Sequence, residues 1–257
     1  MTAPIARIFC SVAVVVMAAA CGRSYHEIPL ETPIRPKLDV SAFERILVAG
    51  FIAGGTEDVD GNLETTRLLR SQLRSNSEMS VIDSDILPLI EVASESRATR
   101  DTPLGGEDPS EPVAILEDAD LELYEHVFAD VEYWSRIGEE FQEPLIVTGT
   151  VMFAPQARAG VVQRDQEVYD ALGRRSVVPV RTYMERKGFV LRPRFVFIDG
   201  RTGTILYSET FREEVLYNSN QVSPALSSYF ELMDRLLPSF LSTLSTQTIR
   251  GTRVLLQ

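Results

Sequence analysis

Residues 1–21 dictate which part of this chain can fold. Arg7 supplies a short basic start, Ile8 to Ala20 run without a charge, and Ala18, Ala19 and Ala20 lead into Cys21. This is the pattern of a secretory signal peptide, which the mature protein loses. The apolar run is too short for a membrane span, which takes about 20 apolar residues. Cys10 and Cys21 are the two cysteines of the chain, and Cys10 leaves with the leader. If Cys21 is modified, no thiol remains for a disulfide, a nucleophile or a cysteine metal site.

The leader resembles the bacterial lipobox, in which the cysteine becomes the lipidated first residue. The departure is Ala18, at a position where the family favours leucine. Gly22 follows the cysteine, where aspartate is the usual inner-membrane retention signal. The resemblance therefore implies a lipid anchor on Cys21 at the periplasmic face of the outer membrane. A plain secretory signal with an incidental Cys21 is the alternative. The expected organisation is a signal peptide over 1–20, a flexible tether over 21–42 and a single globular domain over 43–257.

Without residues 1–20 the chain keeps 37 acidic and 24 basic side chains, a net charge of −13. The charge is uneven. Residues 83–143 hold 18 Asp/Glu against 3 Arg, whereas residues 144–257 hold 10 Asp/Glu against 14 Lys/Arg. Such acidity repels nucleic acid and anionic headgroups, which argues against a nucleic-acid partner. The acidic segment reads either as a solvated face with a loop or as a docking surface over 94–140.

Pro29, Pro33 and Pro36 mark residues 22–42 as the tether. Arg45 to Ile52 reads as a buried strand, and Asn62 as the N-cap of a helix from Leu63 to about Ser75 with Leu69 and Leu73 inward. Met79 to Ile82 is a second short strand. Residues 94–116 are rich in Gly, Pro, Ser, Asp and Glu and read as an exposed loop. Leu121, Tyr124, Phe128, Val131 and Trp134 predict one helix face over 121–137, with Trp134 in the core. Leu145 to Phe153 reads as a strand, and Val161–Val168 with Val177–Met184 as a hairpin about Asp170 to Arg174. Phe189, Leu191, Phe195 and Phe197 share one face of the next strand, and Arg192, Arg194, Val196 and Ile198 the other. Pro193 removes a backbone donor and predicts an edge or a bulge. Asp199, Gly200, Arg201, Thr202 and Gly203 form a turn, returning through Ile205, Tyr207 and Phe211. Ser223 is the expected N-cap of a last helix, with Leu226, Phe230, Met233, Leu237, Leu241 and Leu244 inward and a break at Pro238.

The fold class is α/β (α+β): a mixed sheet with an early βαβ unit, a later antiparallel meander and a closing C-terminal helix. The order of elements resembles the periplasmic lipoproteins grouped with the curli-secretion channel (CsgG) and the activators of penicillin-binding proteins (LpoB). Its core is similar to the amino-terminal domain of TolB. The resemblance rests on Cys21, the strand at Arg45–Ile52, the helix of Leu69 and Leu73, Val81-Ile82-Asp83, Val147 to Val151 and Phe197 to Leu206. It covers most of 43–245 and implies a turn motif of Asp199, Gly200, Thr202 and Gly203 beside the closing helix. The sequence departs from the channel over 160–187. Arg164, Arg174, Arg175, Arg181, Arg186, Lys187 and Pro179 do not make the alternating strands of a membrane barrel.

Little points to chemistry. His26 and His126 are the two histidines, and no G-x-S-x-G elbow, G-x-G-x-x-G or Walker lysine occurs. His126 with Glu122, Glu125 and Asp130 reads as a surface group rather than a metal site. Asp58 and Asp60 begin like a calcium loop, but Gly61 comes too early and Leu69 stands where the closing glutamate belongs. No catalytic residue, metal or cofactor is assigned. The expected function is a non-catalytic envelope lipoprotein that binds a protein partner and is held to the membrane by lipid on Cys21. A subunit of an oligomeric export complex, or less readily a cell-wall hydrolase, is the alternative.

Overall fold

The computed structural model describes residues 25–100, 115–218, 221 and 223–256. Cys21 lies outside them. Two compact units divide the chain, one of residues 25–36 with 246–256 and one of Lys37–Ser245.

The smaller unit is a two-stranded antiparallel ribbon. Strand β1 (Tyr25–Ile34) pairs with β8 (Gln247–Leu256), from Tyr25 opposite Leu256 to Ile34 opposite Gln247. Arg250 bridges to Glu31 at 3.0 Å. Residues 25–34 of the expected tether are thus paired strand, and residues 246–256 group with this ribbon rather than with the larger unit.

The larger unit is a six-stranded mixed sheet between two helical layers. Its strands are β2 (Arg45–Gly55), β3 (Ser80–Ile82), β4 (Leu145–Tyr169), β5 (Arg175–Asp199), β6 (Ile205–Thr210) and β7 (Glu213–Asn218). The order is β3-β2-β4-β5-β6, with β7 also on β5. Strands β2, β3 and the start of β4 run parallel, and helix α1 (Gly61–Asn76) links β2 to β3 as the expected βαβ unit. The remaining pairs are antiparallel, giving the meander.

Burial on both faces explains the near-continuous apolar runs of β2 and β4. Ile46, Val48 and Phe51 point into one core with α1 and α5 (Ala225–Leu244). Leu47, Ala49 and Ile52 point into the other. There lie α2 (Leu89–Arg100), α3 (Asp118–Glu122), a 3₁₀ turn (Glu125–Ala129) and α4 (Val131–Glu140). The alternation slips by one residue because β2 bulges between Val48 and Gly50.

Several local expectations are corrected. Asp60, not Asn62, caps α1, its carboxylate accepting from the Leu63 N–H at 2.9 Å. Asn62 instead accepts the Phe51 N–H at 2.8 Å, beside the bulge. Residues 94–100 are helix, and Ile115 is buried and takes the Gly55 N–H at 2.9 Å, so 94–116 is not one exposed loop. The segment 121–137 is three short pieces rather than one helix, and Val131 is exposed. Pro193 lies on a central strand. Phe211 donates to its carbonyl at 2.9 Å, so its missing N–H faces the side where β6 ends opposite Arg194 and β7 begins opposite Leu191. Ile205 is exposed, while Tyr207 and Phe211 pack on the core. Pro224 caps α5 in place of Ser223. Its buried stripe is Tyr229, Leu232, Met233, Leu236, Leu237 and Phe240, leaving Leu226 exposed. The helix runs unbroken through Pro238, which sits on its exposed side.

Candidate functional site

The Asp199 turn lies at the sheet end where β2 and β4 begin. The Asp199 carboxylate, almost fully buried, accepts the Arg201 N–H at 2.9 Å and the Arg201 guanidinium at 3.3 Å. Its backbone carbonyl takes the Gly203 N–H at 2.7 Å, and its own N–H reaches Thr204 at 2.9 Å. Thr202 and Thr204 join through their hydroxyls at 2.7 Å. Gly203 needs its φ of +70°, and a side chain there would meet the Val131 carbonyl of α4 at 2.1 Å. The motif residues are therefore all engaged in shaping the turn and seating it on α4.

Beside this turn is a shallow polar cleft of about 330 Å³, lined by Ala42, Glu44, Arg45, Gln142, Glu143 and Arg201. Gln142 and Glu143 hold φ of +65° and +56°. They close the end of α4, the Glu143 N–H reaching the Gly138 carbonyl at 2.7 Å, a left-handed cap made without glycine. Arg45 donates to Gln142, and Arg201 stacks over Phe43 at 5.1 Å. Two guanidiniums and two carboxylates face solvent here, with no nucleophile beside a base.

The histidine reading is resolved by its contacts. His126 places Nδ1 3.0 Å from the Leu123 carbonyl and Nε2 3.0 Å from the Ala93 carbonyl, tying the 3₁₀ turn to α2. Asp130 caps α4 through the Tyr133 N–H at 3.0 Å, and Glu125 pairs with Arg194. Among the described residues no group of three His, Cys, Asp or Glu side chains is placed to hold a metal. Asp120 accepts the Glu117 and Leu116 N–H groups, which hold its carboxyl below the usual range. Trp134 is fully buried and donates to the Val127 carbonyl at 2.8 Å, so it is a core residue. Burial raises the Tyr133 hydroxyl pKa. Arg192 and Arg194, placed by alternation on this face, reach out to Asp118 at 3.0 Å and to Glu125.

The hairpin exposes several large apolar side chains. Strands β4 and β5 are each 25 residues long and pair without a slip from Leu145–Asp199 to Tyr169–Arg175. Strand β2 stops opposite Phe153, and β7 reaches only Arg186. The outer 11 residues of β4, 159–169, thus project roughly 36 Å as a two-stranded arm. The Asp170 carboxylate fixes its tip, accepting the Leu172 and Arg174 N–H groups at 2.9 Å and the Arg174 guanidinium at 2.7 Å. Val161, Tyr169, Leu172, Val177 and Tyr183 are all more than half exposed. Sequence reasoning found the hairpin but not its length, because Pro155, Arg158 and Gly188 interrupt the apolar pattern.

No family model matches this sequence, and no curated protein does. Solved structures give low likenesses. Lipoprotein GNA1162 from Neisseria meningitidis has a TM-score of 0.34 at 14% identity, over 76% of this chain and 96% of that one. The C-terminal domain of LpoB from Salmonella enterica gives 0.29 at 10%, over 78% and 91%. A PelC dodecamer from Paraburkholderia phytofirmans gives 0.35 at 16%, over 85% and 98%. Among the described residues no helix is long and apolar enough to cross a membrane.

Proposed function

We propose that this chain is a non-catalytic, lipid-anchored envelope protein that works by binding other proteins. Lipid on Cys21 would hold it to the outer membrane. The span from 21 to 42 would then include the β1–β8 ribbon rather than slack chain alone. The observation that carries the reading is the arm. A two-stranded hairpin is marginal in water on its own, and this one exposes apolar side chains along its length. Such a surface gains most when another protein covers it. The acidic layer over 115–140 is the second docking surface, with Leu116, Leu123 and Val131 exposed among its carboxylates.

The test is in-cell crosslinking of the tagged chain, wild type and Cys21→Ser, with mass spectrometry of what is captured. An envelope protein captured by the lipidated form alone supports this reading. A long ladder of self-crosslinks together with a secretion cargo favours a subunit of an export complex, which the same unpaired arm could serve. A wild type that is periplasmic, unlipidated and alone ends both.

A further inference from the structure

The two faces of the arm differ in charge. Its strand carboxylates, Asp165, Glu167 and Glu185, all fall on the odd-numbered face, where Glu167 pairs with Arg175 and Glu185 with Lys187. The even-numbered face carries no carboxylate. It presents Val162, Val168 and Val178, exposed, beside Arg158, Arg164 and Arg186. Glu214 occupies Arg158 at 2.8 Å, but among the described residues no carboxylate pairs with Arg164 or Arg186.

The complementary surface is on the same chain. The helical layer of α2 to α4 lies within the segment that holds 18 acidic residues against 3 arginines. Its Glu122 and Glu132 are exposed next to Leu123 and Val131 and have no ion-pair partner among the described residues. One chain cannot bring the two surfaces together. The layer covers the face of the sheet that receives Ile146, Met152, Val196 and Ile198, which is the even-numbered face of β4 and β5. At the root of the arm both surfaces therefore look the same way. Two copies turned face to face can join them, and a twofold axis makes the contact twice.

We infer that the even-numbered face of the arm docks on the acidic helical layer of a second copy of this chain. An anionic lipid surface offers the arm the same charge, but it repels a chain whose net charge, −12 in full, is −13 without residues 1–20. The inference rests on the partner-binding reading above and names one partner for it.

Sedimentation velocity of the full chain in non-ionic detergent tests it. The arm variant is Arg164→Glu with Arg186→Glu, and the layer variant is Glu122→Lys with Glu132→Lys. The wild type dimerises at micromolar concentration and dissociates as salt rises. Each variant alone binds itself about tenfold more weakly or worse, with an unchanged circular dichroism spectrum and melting temperature. Their equimolar mixture recovers a 1:1 complex, because the intact arm of one meets the intact layer of the other. A monomeric wild type, or variants that dimerise like it, overturns the inference. So does a mixture that stays monomeric, which points to arms pairing with arms. Loss of pelleting with phosphatidylglycerol vesicles in the arm variant, with sedimentation unchanged, overturns it in favour of lipid. A monomeric wild type that still captures an envelope protein in cells removes the second copy and leaves the proposed function standing. A dimer that captures nothing else does the reverse.

Discussion

Gly138 of α4 and Gly200 of the Asp199 turn touch backbone to backbone: a Cβ on Gly138 would lie 1.6 Å from the Gly200 carbonyl oxygen. The helix can sit this close to the sheet end only because Gly138 has no side chain; a Cβ on Gly200 would instead meet the Pro144 carbonyl oxygen at 2.5 Å. Gly138→Ala must push the turn away from α4, and overpacking of this kind costs about 3 kcal/mol. Gly160→Ala on the arm is the control, since a Cβ there meets nothing within 4 Å. Urea unfolding of both variants, with an equal midpoint for the two, would contradict the close approach.

The βαβ start, the meander and the closing helix were legible because strands buried on both faces leave unmistakable apolar runs, as in Ile46 to Ile52. What escaped the sequence was decided by tertiary contacts. Asp60 and Asn62 are equally good caps, and only the Phe51 N–H at the β2 bulge assigns Asn62 elsewhere. The apolar arc of helix α5 is broad, so which part of it faces inward was ambiguous. Tyr229 selects it, by donating to the Gly61 carbonyl at 3.2 Å and joining the Thr65 hydroxyl. Strand β7 was missed because only Val215 of Glu213–Asn218 is buried. The β1–β8 ribbon pairs segments more than 200 residues apart, and its prolines read as a tether. At the candidate site, the charge segregation on the arm follows from alternation. Its meaning depended on knowing which helices cover the same face.

Trp134 separates core from anchor. If it were a docking residue, its removal would spare stability and cost partner capture. Its burial and its bond to Val127 predict the opposite. Trp134→Ala should lose about 3–5 kcal/mol. Trp134→Phe should lose about 1 kcal/mol, because the Val127 carbonyl loses the indole donor and keeps the Asp130 N–H at 3.2 Å. Circular dichroism during urea unfolding measures both; wild-type stability in either variant would return Trp134 to the list of anchors.

The tip of the arm should loosen in acid. The Arg174 N–H, then its guanidinium, hold the Asp170 carboxyl below the ordinary carboxylate value. A depressed folded pKa gives stability that is complete above the unfolded value of about 3.9 and disappears as pH falls through the folded one. Amide protection at Leu172 and Arg174 should therefore decline as pH falls below the ordinary carboxylate range. Asp170→Asn should show weaker protection throughout, without that dependence. Hydrogen exchange by NMR across the acid range distinguishes the two, and protection that is flat with pH in the wild type would remove Asp170 from this role.

Arg70 shows how a charge can be required in the interior without any catalytic part. Its side chain is 12% exposed, and burial pulls its pKa down, although a guanidinium stays protonated. It donates to the Val48 carbonyl at 2.8 Å and the Ser84 carbonyl at 2.7 Å, and lies 3.8 Å from Asp83. Val48 borders the β2 bulge, and Ser84 follows β3, so one planar fork ties α1 to both parallel strands. Arg70→Met keeps the bulk but orphans two carbonyls, at a cost of about 2–3 kcal/mol. Arg70→Lys keeps the charge, yet an ammonium on a shorter reach cannot serve both carbonyls in the same plane, so it should recover only part of the loss. Thermal melts of the three proteins give the order Arg above Lys above Met. A methionine variant as stable as the wild type would mean that Arg70 is held there by packing of its stem rather than by its fork.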